Sequence, residues 1–207
     1  MSNTPDRHPA RDLPEQLSVT WAQLRLAVAD AKHEWHLPVV STIGLDGSPE
    51  ARTVVLRAAD EANRELVFNT DRRSLKPREI ERSSRIAWTF YERGHRVQLR
   101  MSGPATIHAD DAIADEAWSR TSLSSRRCYL APHAPSSILE AWDPNLPQDL
   151  LASIPDQTTS EGGRSNFMVV RSRIDRLDRL ELHHDGHLRG RWRWAGDELV
   201  ETAWLAP

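Results

Sequence analysis

The chain has 207 residues and a formal net charge of −3, from 27 basic and 30 acidic side chains. That balance excludes the overall basic character of most nucleic-acid binders, and the single cysteine, Cys128, excludes an internal disulfide. No apolar run approaches the ~18 residues of a membrane span. The opening MSNTPDRHPARD lacks the apolar core of a signal peptide. A protein without nucleic-acid or membrane partners, in a reducing cytoplasm, is expected.

Residues 1–15 read as a loose polar tail, and residues 16–207 as one domain. In EQLSVTWAQLRLAVADAKHE, Leu17, Trp21, Leu24 and Val28 fall at helical spacing and predict a helix lying on the core. The period then changes. LPVVSTIGLDGSPEARTVVLRAADEANRELVFNT holds three β-branched runs, the first two joined by an Asp46-Gly47 hairpin turn. The run RTVVLR reads as one strand, with Arg52, Val54 and Leu56 on one face and Thr53, Val55 and Arg57 on the other. SLKPREIERSS predicts a short helix, with Pro77 tolerated in its first turn. Two strands follow around Glu92-Arg93-Gly94, then a helix opened by acidic residues in ADDAIADEAWSRTS. Residues Leu123 to Asn145 are irregular, with a short helix expected in LPQDLLASI. From Phe167 to Leu205 the pattern is strand, strand, turn, strand, strand. The fold class is mostly β, a β-barrel with peripheral helices.

Several chemistries lack their signatures. There is no GxGxxG, P-loop or GxSxG motif. Cys128 has no neighbouring motif of a nucleophile and reads as a small half-buried residue. His183, His184 and His187 straddle a hairpin turn, unlike metal ligands converging from rigid elements. The basic residues say more. Thr70 ends a strand and DRRSLK follows, so a strand end feeds a helix N-terminus. Free backbone N–H groups, Ser74 at the N-cap and Lys76 beside it suit a phosphate. Arg52 joins them if its strand pairs with the one ending at Thr70. A capped helix with solvated charges explains the same residues. In HLRGRWRW, Arg189, Arg191 and Arg193 share one face, with Leu188, Trp192 and Trp194 on the other. Gln98 in RVQLR needs polar partners, which a heterocycle edge or a neighbouring backbone would supply.

Taken in order, RTVVLR, LVFNTDRRSLK, VQLRMSGPA and the ending RGRWRWAGDELVETAWLAP resemble the pyridoxamine 5'-phosphate oxidase family of FMN-binding split barrels. The resemblance covers roughly residues 35–110 and 165–207. It implies a homodimer with FMN at the subunit interface. It assigns the cofactor to Arg52, Thr53, Val54, Val55, Leu56, Asn69, Thr70, Ser74, Lys76, Gln98 and Arg191, with Ser136 and Ser137 contributing from the central loop. It assigns a small substrate's anionic group to Arg57, with His187 and Arg189 nearby.

The departures carry information too. The family's second phosphate-loop cation is Leu75 here, with Arg72 and Arg73 as candidate replacements. A family tryptophan corresponds to Leu180. The oxidase's substrate Tyr, Arg and Ser fall near Ala117, Thr121 and Ser125, and its Arg-x-His pair appears reversed as His187-Leu188-Arg189. The resemblance therefore implies a divergent FMN-dependent oxidoreductase that passes a hydride between a small anionic molecule and flavin N5. No side chain presents itself as a general base, which suits direct hydride transfer. Two alternatives stand: a non-catalytic holder of FMN or another flat anion such as haem, and a true pyridoxamine 5'-phosphate oxidase with remodelled contacts.

Overall fold

The computed structural model describes residues 12–207; most of the expected tail lies outside them. Helix α1 (Leu13–Ala29) carries Pro14 in its first turn and buries Gln16, Thr20, Trp21, Leu24 and Ala27. Leu17 and Val28, expected on the same stripe, flank it at the margin of the core. The helix rests against β3 (Ala58–Asp60) and a 3-10 turn at Glu34–His36.

Among the described residues ten strands form two sheets that share a strand. Strands β1 (Val39–Ile43) and β2 (Pro49–Thr53) make the expected hairpin. At its tip Gly47 takes φ +89°, and Asp46 Oδ1 accepts from the Ser48 backbone at 2.9 Å, the side-chain-to-backbone turn that favours Asp there. The remaining strands are β4 (Glu65–Asp71), β5 (Arg85–Glu92), β6 (Val97–His108), β7 (Phe167–Arg173), β8 (Arg176–Glu181), β9 (Leu188–Ala195) and β10 (Glu198–Trp204). One sheet runs β10-β9-β8-β6-β5-β1-β2, and the other runs β3-β4-β7-β6, all antiparallel.

The RTVVLR run is not one strand. It stops pairing with β1 at Thr53. The Leu56 N–H then donates to the His36 carbonyl at 2.9 Å, and the Arg57 N–H to the Val67 carbonyl at 2.8 Å. The segment thus leaves one sheet and enters the other, because Val54 and Leu56 bury themselves between the two. The facing is as expected: Arg52 shares the inner face with these two residues, and Arg57 points outward.

Two short helices flank the barrel: α2 (Leu75–Arg82) after β4, and α3 (Ala112–Arg120) after β6. The central segment adds α4 (Leu123–Arg126), a 3-10 turn at Arg127–Leu130 and another at Gln148–Leu150, then α5 (Gln157–Glu161). Helix α5 is not among the expected elements, although Asp156 caps it by accepting from the Thr159 N–H at 2.7 Å.

The main core lies between the sheets around Trp21, Trp35, Phe68, Trp88, Phe90 and Trp192. The Trp88 and Phe90 rings are stacked with centroids 6.1 Å apart, and Phe68 meets Trp88 edge-on at 5.5 Å. A second core of Ala114, Trp118, Tyr129, Phe167 and Val169 fixes α3 to the outside of the β4–β7 pair.

The junction of the two sheets depends on β6. Residues 97–102 pair with β5 and β8, whereas 105–108 pair with β7. At the bend a Cβ on Gly103 would stand 1.8 Å from the Arg173 carbonyl oxygen. No side chain fits there, so the backbones approach only because the residue is glycine. Gly103→Ala should therefore destabilise the fold by roughly 3 kcal/mol or more, read as a lower urea midpoint. Gly94→Ala, at a position where a Cβ meets nothing within 4 Å, is the matched control and should stay close to wild type.

Candidate functional site

Four of the expected residues converge where β4 passes into α2. Thr70 and Ser74 are both buried, with their hydroxyls 3.3 Å apart. Ser74 stands at the N-cap as expected, but its side chain makes no capping bond to the helix. The hydroxyl turns toward Thr70, so the first-turn amides of this eight-residue helix lack a side-chain acceptor. Lys76 lies beside them. Burial pushes its ammonium pKa down, the charge of Arg52 adds to the fall, and Glu79 and Asp71 oppose it.

Arg52 reaches this corner by a route the sequence reading did not anticipate. Its strand β2 does not pair with β4; β2 pairs with β1, and β4 with β3 and β7. Instead Glu79, 2% exposed on α2, accepts from Arg52 Nη2 at 2.9 Å and from the Thr42 hydroxyl at 2.6 Å. Arg52 Nη1 also donates to Thr42. A buried carboxylate thus docks the helix onto the hairpin and sets the guanidinium beside Lys76.

Neither proposed substitute for the missing cation at Leu75 is free. Arg73 grips Asp71 with Nε and Nη2 at 3.0 and 2.7 Å and donates Nη1 to the Ala131 carbonyl at 2.8 Å. Arg72 pairs with Asp110 at 2.7 Å.

Arg57 opens on a different feature, a cleft of about 370 Å³ between β3–β4 and the C-terminal end of α3. Ala58, Val67 and Ala117 form its apolar wall, and Asn69, Thr121 and Ser122 its polar one. Among the described residues the Arg57 guanidinium shows no ion-pair or hydrogen-bond partner. Arg120 also lines the cleft, tethered only to Glu116 one turn earlier at 2.6 Å. Arg120, not among the expected site residues, stands one position before the expected substrate-side Thr121. The Asn69 side-chain oxygen is buried and unpartnered.

Gln98, Arg189 and Arg191 sit on the outer face of the larger sheet, His187 in the turn before β9, and Ser136 and Cys128 in the central segment. Gln98 lies between Tyr91 and Leu180 in register, half-buried. Arg189 donates to Asp178 with Nε at 3.2 Å and Nη2 at 3.0 Å, and Arg100 reaches the same carboxylate at 3.1 Å. Arg191 is held by Glu201, its Nε at 2.7 Å. His187 accepts from the His183 N–H at 3.2 Å, while His183 turns to Glu181 and His184 to Asp185. Ser136 lies in the exposed loop after α4 with φ +69°. Cys128, expected to be half-buried, is exposed at its surface, and its thiol donates to the Ser125 carbonyl at 3.1 Å. Desolvation around the sulfur and the charge of Asp71 nevertheless raise its pKa, which disfavours the reactive thiolate.

Register separates these groups. Across the outer face the row runs Thr53, Val39, Thr89, Arg100, Asp178, Arg191. At ~4.8 Å per strand, Thr53 and Arg191 are about 24 Å apart measured along the curved sheet. One chain therefore presents the Arg52–Lys76 corner with its cleft, and separately the Gln98–Arg191 face.

These features define a split β-barrel with a cationic corner at a helix N-terminus. More particularly, residues 18–109 match the family described as pyridoxamine 5'-phosphate oxidase, FMN-binding domain. Pyridoxine/pyridoxamine 5'-phosphate oxidase 2 of Arabidopsis thaliana is 34% identical over 54% of this chain and 62% of its own. The oxidase of Rubrobacter xylanophilus is 36% identical over 53% of this chain and 44% of its own. The chain thus spans less than two thirds of these curated relatives. Among solved structures, a pyridoxamine 5'-phosphate oxidase-related, FMN binding protein from Nostoc punctiforme superposes with a TM-score of 0.69 at 21% identity, covering 98% of this chain and 99% of that one. PhzG from Burkholderia lata, in complex with tetrahydrophenazine-1-carboxylic acid, gives 0.67 at 20%, covering 98% and 95%. Both show the same fold over nearly the whole chain.

Two outcomes follow from the charges. Glu79→Gln should cost roughly 1–3 kcal/mol of stability, because it strips the half-buried Arg52 guanidinium of its counter-charge; urea denaturation measures it. Burial alone would raise the Asp178 carboxyl, but hydrogen bonds from Arg189 and the charge of Arg100 hold it below the usual carboxylate range. A depressed carboxyl contributes stability that is fully present above its unfolded pKa, about 3.9, and is lost as pH falls through the folded value. Asp178→Asn should flatten that acid limb when urea midpoints are compared from about pH 2 to pH 7.

Proposed function

We propose that this chain is an FMN-dependent oxidoreductase that works as a homodimer on a small anionic substrate. The observation that carries the reading is the corner where Arg52, Lys76, Thr70 and the uncapped amides of α2 meet. An eight-residue helix start with the desolvated Lys76 and the half-buried Arg52 suits a phosphate monoester. The residues present fit FMN, with one cation fewer than the family pattern at Leu75. Arg52, Thr70, Ser74 and Lys76 would hold the phosphate, and Thr53 to Leu56 would run along the ring. Asn69 offers a buried, unpartnered oxygen, which a ribityl hydroxyl or ring N–H would satisfy.

When bound, FMN would supply hydride chemistry at its N5, exchanging with the substrate. The chain's own part is to bind and orient. Arg57 stands at the substrate side as a free cation, and the apolar wall of Ala58, Val67 and Ala117 shields that side from water. The cleft lining from this chain includes no carboxylate or histidine.

The separation of about 24 Å along the sheet between Thr53 and Arg191 supports the dimer. Gln98, Arg191 and Ser136 would complete a partner's site rather than their own. Ile138 and Trp142, in the loop that carries Ser136, are 100% and 89% exposed. Apolar side chains left this open mark an interaction surface.

The purified protein should bind FMN with saturable quenching of flavin fluorescence and the flavin absorption bands. Lys76→Ala should weaken that affinity about 10- to 100-fold, the worth of a hydrogen bond to a charged group, with the fold intact by circular dichroism. Wild-type affinity in this variant would remove the phosphate assignment. Anaerobic bleaching of the flavin by candidate substrates then separates an enzyme from a holder of the cofactor.

A further inference from the structure

The cleft beside Arg57 carries more than a single cation. Its lining includes two guanidiniums, Arg57 and Arg120, and no acidic side chain. Arg57 is exposed and its guanidinium has no partner among the described residues. Arg120, with its side chain 77% exposed, has only the solvent-facing i,i+4 contact with Glu116. Such pairs contribute a few tenths of a kcal/mol and yield readily to a ligand. The hydroxyls around them are already engaged. Thr121 Oγ1 donates to the Ala117 carbonyl at 2.8 Å, and Ser122 Oγ accepts from the Ser125 N–H while donating to Ser125 Oγ at 3.0 Å.

We propose that this cleft selects a small ring carboxylate without a phosphate group, clamped between Arg57 and Arg120 with its ring against Ala58, Val67 and Ala117. A carboxylate has one charge and two oxygens in a plane, and a guanidinium fork meets both oxygens at once. A phosphate monoester has up to two charges and three terminal oxygens. With the hydroxyls of Thr121 and Ser122 occupied, the Asn69 amide is left as a neutral side-chain donor on the polar wall, too few to encircle three oxygens, and no backbone turn like that of α2 closes around it. The volume of about 370 Å³ is at the small end of the range for small-molecule pockets and matches one or two rings.

Arg120 owes its placement to a buried neighbour. Arg126, 2% exposed, donates to the Trp118 carbonyl at 2.8 Å and the Thr121 carbonyl at 3.0 Å, and to Glu161 at 2.7 Å. Its guanidinium also lies 4.5 Å from the Trp118 ring centre. It therefore ties the last turn of α3, where Arg120 projects, to α4 and α5. Arg126 is a positioning residue, and Arg120 the specificity-determining one.

This assignment rests on the cleft being the substrate side of the proposed flavin site, and the experiment separates the two. The full chain is equilibrated with FMN, and uptake is read from flavin absorption. Benzoate and phenyl phosphate are then titrated separately by calorimetry. Saturable benzoate binding is expected, tighter than that of phenyl phosphate. Arg120→Ala should weaken it at least 10-fold and Arg120→Lys by less, both with FMN affinity unchanged. FMN uptake without benzoate binding, tighter phenyl phosphate, or an indifferent Arg120→Ala would overturn the proposal and leave the flavin reading standing. Benzoate binding that depends on Arg120 without FMN uptake would do the reverse. Failure of both ligands to bind would sink both.

Discussion

The contact on which the architecture turns is the approach of β6 to β7 at Gly103, where even a methyl group would collide with the Arg173 carbonyl. That closeness lets one strand serve two sheets. Its first half builds the broad face with β5 and β8, and its second half closes the smaller sheet with β7. The crossing segment Val54–Arg57 performs the matching transfer on the other side of the barrel. Between these two transfers lie the tryptophans and phenylalanines of the core. The cationic corner is built where the smaller sheet ends and the hairpin edge of the larger sheet comes near it.

Electrostatics then does the finer placement. Among the described residues Glu79 is the only carboxylate within hydrogen-bond reach of Arg52, at 2.9 Å. Its burial means that the pair holds its geometry in salt better than a surface pair would. Arg52 is thereby pre-oriented rather than recruited, and a ligand arriving at the corner does not have to order it. On the outer face the carboxylates of Asp178 and Glu201 each hold two arginines, Arg100 with Arg189 and Arg191 with Arg193. Positive charge remains on that face, but its directions are fixed.

Much of this was legible in the sequence because it depends on local pattern. The Asp46-Gly47 turn, the helical stripe of Trp21 and Leu24, the Thr70-to-Lys76 turn and the four closing strands follow from spacing alone. The fold of RTVVLR was not legible, because an alternating run looks the same whether it pairs on one sheet or passes between two. Arg52 shows the same divide. Its inward facing followed from alternation, but its partner Glu79 comes from a helix 27 residues later, and only tertiary packing joins them. Arg120 escaped notice because the residue that aims it, Arg126, works through backbone carbonyls, which leave no mark in sequence. Asp71 and Arg73 read as ordinary loop charges, although their bidentate pairing excludes Arg73 as a spare cation.

That pairing reaches beyond the corner. By donating to Ala131 as well as to Asp71, Arg73 fastens the start of the long central loop to the last residue of β4. The loop residue Ser136 is thus separated by only five positions from an anchor rooted in the sheet. The loop takes its bearing from the barrel rather than from its own sparse contacts. One side chain thus joins the end of β4 to the start of the loop, and neither can move away from the other without giving up hydrogen bonds of Arg73.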